Sequence, residues 1–154
     1  MKKSRNLSLL IFTLYLLSCT HDHDVELFHK FPDQVWRRFT ILQYEIPIES
    51  KQTSYDITFF IHLTKNYDYD YLDFNMIMTT PSGEERINEY HINIKGTGGT
   101  FLSQWKNDSC ELTIPLKKSI LLNKGLLMIQ IENLVPRLET KGLLGAGIRL
   151  HQLR

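Results

Sequence analysis

The chain has 154 residues, which is enough for one domain and short for two. Charged residues make up 23% and apolar residues 42%, as in ordinary soluble globular proteins. The formal net charge is +1, and removing residues 1–18 would lower Lys+Arg from 18 to 15 against 17 acids, giving −2. This near-neutral balance argues against a basic surface for nucleic acid.

The N terminus has the features of a secretory signal peptide. Two lysines and an arginine lie within the first five residues, before the uncharged stretch of residues 7–17. That stretch is shorter than the ~20 apolar residues of a transmembrane helix. The sequence "LLSC" ending at Cys19 resembles the bacterial lipobox, whose cysteine is acylated after cleavage just before it. We therefore expect a lipoprotein signal peptide at 1–18 and a lipid anchor on Cys19, which holds the protein in the cell envelope.

Residues 19–27 are predicted to be the lipidated cysteine and a flexible tether. The tether carries His21 and His23 beside aspartates, and these side chains suit several divalent metals. A flexible segment offers no preformed cage, so we expect no metal site here. The acidic residues resemble a surface-export tag of some Bacteroidota lipoproteins, and Thr20 is not the aspartate that marks inner-membrane retention. We expect the protein to be anchored in the outer membrane, on either its periplasmic or its extracellular face.

From residue 28 onward the pattern is that of β-strands. Residues 54–64 place five apolar side chains at every second position, and residues 71–80 place four, as in half-buried strands. The predicted strands are residues 38–48, 54–64, 71–80, 85–94, 110–116, 126–134 and 144–153. Turn sequences separate them, and residues 115–125 are left as a helical turn or a crossover loop. This pattern predicts an all-β fold, a single antiparallel β-sandwich over residues 28–154, either immunoglobulin-like or jelly-roll.

No catalytic motif is recognisable in the chain. The acid pairs Glu84-Glu85 and Asp68/Asp70 lack the defined separation across a cleft that glycosidases need. With Cys19 acylated, Cys110 has no disulfide partner in the mature chain, and we expect it to be a small buried hydrophobe. We therefore predict a protein that is not an enzyme, with no catalytic residues, no cofactor and no bound metal.

Tyr67, Tyr69 and Tyr71 recur at every second residue in "NYDYDYLDF". On one continuous strand they share a face, where they form either a platform for sugar rings or a strand entering the core with hydroxyls at its rim. Trp36 and Trp105 either join such a platform or fill the core.

The last third contains a possible docking segment. Arg137, Glu139 and Lys141 alternate in a loop after Pro136, as a surface ion-pair lattice or as a partner-contact loop. Gly145 and Gly147, which follow, share one face of a strand, where another group can approach closely.

Three blocks carry a family resemblance: "FPDQVWRRF", "FNMIMTTPSGEERINEY" and "IENLVPRLETKGLLGAGIRL". Behind a lipobox, they resemble the gliding-motility lipoprotein GldH of Bacteroidota over residues 28–150. The resemblance implies an outer-membrane-associated lipoprotein required for gliding, in machinery coupled to type IX secretion. It implies no enzymatic activity, and of the residues only Cys19 carries over with a defined chemical role.

Two functional hypotheses follow. The first is a non-catalytic scaffold or assembly protein, anchored in the membrane through Cys19 and contacting other gliding or secretion proteins. The alternative is a carbohydrate-binding lipoprotein that uses the three tyrosines as its platform.

Overall fold

Ten strands and one 3₁₀ turn make up the regular structure of residues 24–153, which are those described by the computed structural model. The strands are β1 Val25–Lys30, β2 Val35–Arg37, β3 Leu42–Ile48, β4 Thr53–Thr64, β5 Tyr71–Thr79, β6 Glu85–Asn93, β7 Ser109–Leu122, β8 Gly125–Asn133, β9 Glu139–Lys141 and β10 Leu143–Gln152. The signal peptide predicted for 1–18, Cys19 and the tether up to residue 23 lie outside the described residues.

The strands form two four-stranded antiparallel sheets and a two-stranded ribbon. The first sheet has the order β1-β10-β4-β7, the second β3-β8-β5-β6, and the ribbon pairs β2 with β9. Chain connections cross repeatedly between the two sheets, and the first and last strands pair with each other. Eight main strands in two sheets of four, with the first and last strands side by side and repeated crossings between the sheets, form a jelly roll. A constant-type immunoglobulin sandwich instead divides seven strands into four and three. The predicted all-β antiparallel sandwich is confirmed.

The core lies between the two sheets and follows the predicted alternation. On β4, Tyr55 is 4% exposed and the alternate apolar side chains from Ile57 to Leu63 are fully buried. On β5, the alternate side chains from Leu72 to Met78 are fully buried as well. Each such side chain contributes about 1.5–3 kcal/mol on leaving water. These strands therefore fix which side chains point outward.

Glycines on β10 allow aromatic rings to cover the outer face of the first sheet. Phe28 on β1 and Phe60 on β4 both pair with Gly147. Their rings are stacked, with centroids 5.8 Å apart, and Phe60 is only 1% exposed although it points away from the core. A Cβ on Gly147 would overlap the Phe60 ring, and one on Gly145 would overlap the Phe28 ring. The close approach expected at these two glycines is thus made by aromatic side chains.

Three segment boundaries differ from the sequence prediction by more than two residues. β1 begins at Val25, inside the predicted tether, because residues 25–30 pair with β10. β3 begins only at Leu42, so Phe39 is left 82% exposed in the preceding turn. β7 continues to Leu122 instead of forming a helical turn after residue 115. A left-handed residue, Ser119, and register shifts opposite β4 let the strand bulge and continue.

Candidate functional site

The strands run between two ends of the sandwich, which we call the near pole and the far pole. The near pole is where β1 begins, with Val25 opposite Leu150. The far pole is where β10 begins at Leu143, beside the β2–β9 ribbon and the β4–β5 loop. At about 3.3 Å per residue, the ten residues of β10 separate the poles by roughly 30 Å.

An open groove of about 1060 Å³ lies at the far pole, and we call it the far-pole groove. It is lined by Asp68, Tyr69, Pro136, Arg137, Leu138, Glu139 and Lys141. All three residues of the predicted partner-contact loop are therefore in one wall, and one of the three predicted platform tyrosines is in the other. Tyr69 and the partner-contact residues, which lie about 70 positions apart in the chain, therefore meet in one place.

The ribbon presents one wall of the groove. Thr140 faces inward and is fully buried, so its neighbours Glu139 and Lys141 point outward into solvent. The prediction of a loop after Pro136 is wrong for these residues, because β9 pairs with β2. Glu139 also does not pair with its neighbours in the sequence, as a local ion-pair lattice would require. Its carboxylate lies 3.7 Å from the Arg37 guanidinium on β2. Both side chains are about half exposed, so this pair is worth at most about 1 kcal/mol.

Asn133 attaches the ribbon to the sandwich. Its side chain is 2% exposed and donates to the Thr140 hydroxyl at 2.8 Å and, more weakly, to the Trp36 carbonyl at 3.5 Å. Its amide oxygen accepts a hydrogen bond from the Val135 N–H at 3.0 Å. Sequence reasoning missed this residue, although its signal is visible: Asn133 continues the inward-facing parity of β8, where only apolar residues precede it.

Trp36 fills the space beneath the ribbon. It is fully buried, its ring is stacked on Phe31 with centroids 5.4 Å apart, and its indole N–H donates to the Thr40 carbonyl at 2.8 Å. It is a core residue and takes no part in a sugar platform. The wall of the groove formed by the ribbon therefore rests on a buried, hydrogen-bonded aromatic side chain.

The three tyrosines do not form the predicted row. The residues from Tyr67 to Asp70 lie in the β4–β5 loop, and only Tyr71 is in a strand. Tyr67 is 1% exposed and its hydroxyl donates to the Tyr71 carbonyl at 2.7 Å; burial raises the pKa of this phenol. The Tyr71 ring lies beside His91, on the second sheet. Of the three, Tyr69 alone lines the groove, so the side-by-side platform is a wrong prediction.

A strained turn lies next to the far-pole groove. Asp33 and Gln34 are consecutive residues with φ of 56° and 57°, a left-handed conformation that side-chain-bearing residues rarely adopt. They line a second groove of about 630 Å³, which shares Asp68 and Lys141 with the first. Such strain costs of order 1–3 kcal/mol per residue and concentrates at functional sites. The far pole therefore carries two contiguous grooves beside a strained segment.

The tip of the ribbon exposes apolar and cationic side chains together. Phe39 is 82% exposed and Leu138 is 70% exposed. The two belong to the same end of the ribbon, because Phe39 directly follows Arg38, whose N–H donates to the Leu138 carbonyl at 3.0 Å. Arg38 and Arg137 are exposed beside them. Exposed apolar groups next to a polar groove are typical of an interaction surface.

A catalytic thiol–imidazole pair would need Cys110 next to a histidine, and the structure keeps Cys110 apart from His62 and His91. Cys110 points into the core, where burial raises the pKa of its thiol. His62 lies on the opposite face and contacts Glu111 at 3.1 Å, while His91 contacts Asp73 at 2.5 Å. Within residues 24–153, no group of three or more His, Cys, Asp or Glu side chains is arranged to hold a metal ion.

The sequence profile described as GldH lipoprotein matches residues 24–150. The chain belongs to the GldH lipoprotein family. The family description fits a lipid-anchored protein of the cell envelope and is consistent with a gliding-motility lipoprotein. In the part of the chain that the structure describes, no helix is long and apolar enough to cross a membrane. A search of curated proteins finds no significant match.

Solved structures resemble this GldH-family domain only weakly. Tripeptidyl peptidase 2 gives a TM-score of 0.43 at 10% identity, covering 81% of this chain and 10% of the peptidase. The Eiger TNF of S. frugiperda gives 0.42 at 12% identity, covering 85% of this chain and 92% of that chain. TmCBM61, in complex with beta-1,4-galactotriose, gives 0.36 at 13% identity over 85% and 70%. At these TM-scores the likeness supports no inference about function.

Proposed function

We propose that this GldH-family protein is a non-catalytic scaffold or assembly component of the gliding machinery and its type IX secretion apparatus. It is held at the outer membrane by acylated Cys19 and contacts its partner through the far-pole groove. The observation that carries the proposal is the position of that groove, about 30 Å from the pole at which β1 begins.

The polarity of β1 explains why this position matters. Residues 20–24 join Cys19 to the near pole and reach at most about 17 Å when fully extended. A lipid on Cys19 therefore keeps the near pole at the membrane surface and leaves the far pole free to face other proteins. The pole nearest in sequence to the proposed anchor and the proposed contact surface are opposite ends of one sandwich.

The chemistry of the groove suits binding better than catalysis. Arg137, Glu139 and Lys141 are exposed, and Asp68 on the opposite wall is exposed as well. Exposed charges contribute specificity and steer association more than they supply a shifted acid or base. The groove is also open, whereas catalytic groups usually lie in sites that exclude water.

Charge reversal within the groove tests this proposal. In a gliding bacterium, Arg137→Glu/Glu139→Lys should abolish colony spreading and leave the protein folded and as abundant as wild type. The matched control is Glu84→Lys/Arg86→Glu, which reverses an exposed ion pair of 2.8 Å in the β5–β6 hairpin. The control should glide normally. Normal gliding of the groove variant, with wild-type abundance on an immunoblot, would contradict the proposed contact surface.

The anchor is tested separately. Cells are labelled with an alkyne palmitate analogue, and wild type is compared with Cys19→Ala. We expect labelling and gliding to be lost together in the variant. An unlabelled wild-type protein would refute acylation of Cys19. If Cys19→Ala loses the label but still glides, acylation serves only to localise the protein and is not required for gliding.

A further inference from the structure

The outer face of the second sheet carries an unusual combination of side chains. Here the outward positions of β3, β8, β5 and β6 form what we call the acidic face. An apolar stripe crosses all four strands diagonally and consists of Ile87, Ile77, Met128, Leu126 and Pro47. Ile87 is 62% exposed and Leu126 is 45% exposed. A contiguous exposed apolar patch on a folded domain marks an interaction site.

Four glutamates frame this stripe. Glu132 and Glu89 both pair with Asn75, on one side of the Ile77–Ile87 row. Glu45 and Glu85 lie on the other side. No Lys or Arg occupies an outward position on these four strands. Among residues 24–153, none of the four carboxylates has a cation within 4 Å.

The outer face of the first sheet provides a comparison, because its charged side chains are paired with one another. Arg149 there makes two hydrogen bonds to the Glu111 carboxylate, at 2.5 and 3.0 Å, and one to Glu26 at 2.6 Å. Its guanidinium lies 3.9 Å from the centre of the Phe60 ring, and Phe28 covers the same ring. The charges and aromatic groups of that face are matched internally. On the acidic face, Asp73 contacts His91 and Gln43 donates a hydrogen bond to Glu45. The apolar stripe nevertheless stays partly exposed, and none of the four glutamates has a cationic partner among residues 24–153.

We propose that the acidic face binds a protein partner through an apolar surface that carries Lys and Arg at its rim. Apolar burial along the stripe supplies affinity, and the glutamates select and steer a cationic surface. The face repels anionic lipid and nucleic-acid phosphate, and it repels itself, so the same face of a second copy is a poor partner. The inference rests on the binding function proposed above but concerns a different surface from the far-pole groove.

Single cysteines test the proposal in the full lipoprotein. Cys110 is buried, so a maleimide reports an introduced cysteine without background from the folded domain. Ile87→Cys probes the acidic face. The matched control is Leu121→Cys on β7 of the other sheet, since both native side chains are 62% exposed. Maleimide labelling rates are compared between native envelope fractions and the purified protein. Occupancy of about 90% would slow labelling of Ile87→Cys about tenfold in envelopes and leave Leu121→Cys unchanged.

Charge reversal identifies the chemistry of the partner. In the Ile87→Cys background, Glu85→Lys/Glu89→Lys should restore labelling in envelopes to the purified rate, while the melting temperature of the variant stays near that of its parent. Equal labelling of the two probes in envelopes would overturn the proposal. If Ile87→Cys stays protected from maleimide after the charge reversal, the proposal of a cationic partner is wrong. Protection that appears in the purified protein and grows with its concentration would identify a second copy instead.

The same strains separate this inference from the proposed function. If gliding requires Cys19 and the far-pole groove while Ile87→Cys is freely labelled, the scaffold function stands and the acidic face is not a contact surface. If Ile87→Cys is protected and the groove variant still glides, the groove fails and the acidic face remains as the binding surface.

Discussion

Replacing Asn133 by leucine should loosen the ribbon without leaving a cavity. The two side chains have the same number of non-hydrogen atoms and the same branching, and leucine is the bulkier, so no space is left empty and the main loss is polar. The Val135 N–H loses its acceptor at 3.0 Å, and the Thr140 hydroxyl loses its donor at 2.8 Å. The bond to the Trp36 carbonyl is long, at 3.5 Å, and its loss should matter little.

The expected cost follows from the two buried groups that are left without a partner. Each unsatisfied buried group costs about 1–3 kcal/mol. Leucine recovers part of this by burying apolar surface, so we expect Asn133→Leu to lower the free energy of unfolding by about 3 kcal/mol. At roughly 3–4 °C per kcal/mol for a domain of this size, the melting temperature should fall by about 10 °C.

Thermal denaturation followed by circular dichroism measures the change. Asn93→Leu, at an exposed position on β6, is the control and should change stability by no more than about 0.5 kcal/mol. Thr140→Val in the Asn133→Leu background removes one of the two orphaned groups. The double variant should therefore be less destabilised than the sum of the single variants, by about 1 kcal/mol. An Asn133→Leu protein that melts within about 2 °C of wild type would refute this account of how the ribbon is held.

Three further predictions concern the sandwich itself. Gly142→Ala should destabilise the domain more than Gly83→Ala: both glycines are left-handed, at φ of 81° and 84°, but only at Gly142 would a Cβ overlap the β4–β5 loop. Equal melting temperatures would contradict this. Hydrogen bonds from Arg149 hold the pKa of Glu111 at about 2, below its usual 4.5. Stability from this pair is therefore complete above about pH 4.5 and is lost as the pH falls towards 2; the urea midpoint should drop less between these values in Glu111→Gln than in wild type. The Cys110 thiol, buried and with a raised pKa, should react with Ellman's reagent only in denaturant, and rapid reaction of the native protein would oppose that placement.

The sequence was sufficient for the strands that alternate over many residues. Strands β4 and β5 each place at least four apolar side chains on one face, and this period of two is the strongest local signal a strand can give. β2 and β9 have three residues each, too few to show a period. In β1 the outward Phe28 breaks the alternation of Val25 and Leu27, because glycines on the neighbouring strand make room for its ring.

The far-pole groove could not be predicted from the sequence, because it forms between segments that are distant in the chain. Tyrosines and aspartates alternate in residues 67–71 with the period of a strand, but residues 67–70 form a loop and only Tyr71 lies in β5. Tyr67 is buried there, and the start of the loop is held against a distant segment, because the Thr64 N–H donates to the Gly142 carbonyl. Asp68 and Arg137 line one groove only because β4 and β10 are paired. A pairing between segments about 80 residues apart cannot be read from either segment alone.

The attachment of β1 has a mechanical consequence. This strand is joined to the sheet through six residue pairs with β10, and within residues 24–153 no strand pairs with its other edge. Interstrand hydrogen bonds are perpendicular to the strands, so tension between the chain before Asp24 and the far pole acts across all of them at once, in shear. The Asp24–His151 and Glu26–Arg149 contacts and the Phe28 ring resist the same sliding motion. A pull applied sideways would instead open the pairs one at a time. The attachment of β1 thus resists forces directed from one pole to the other better than forces directed sideways.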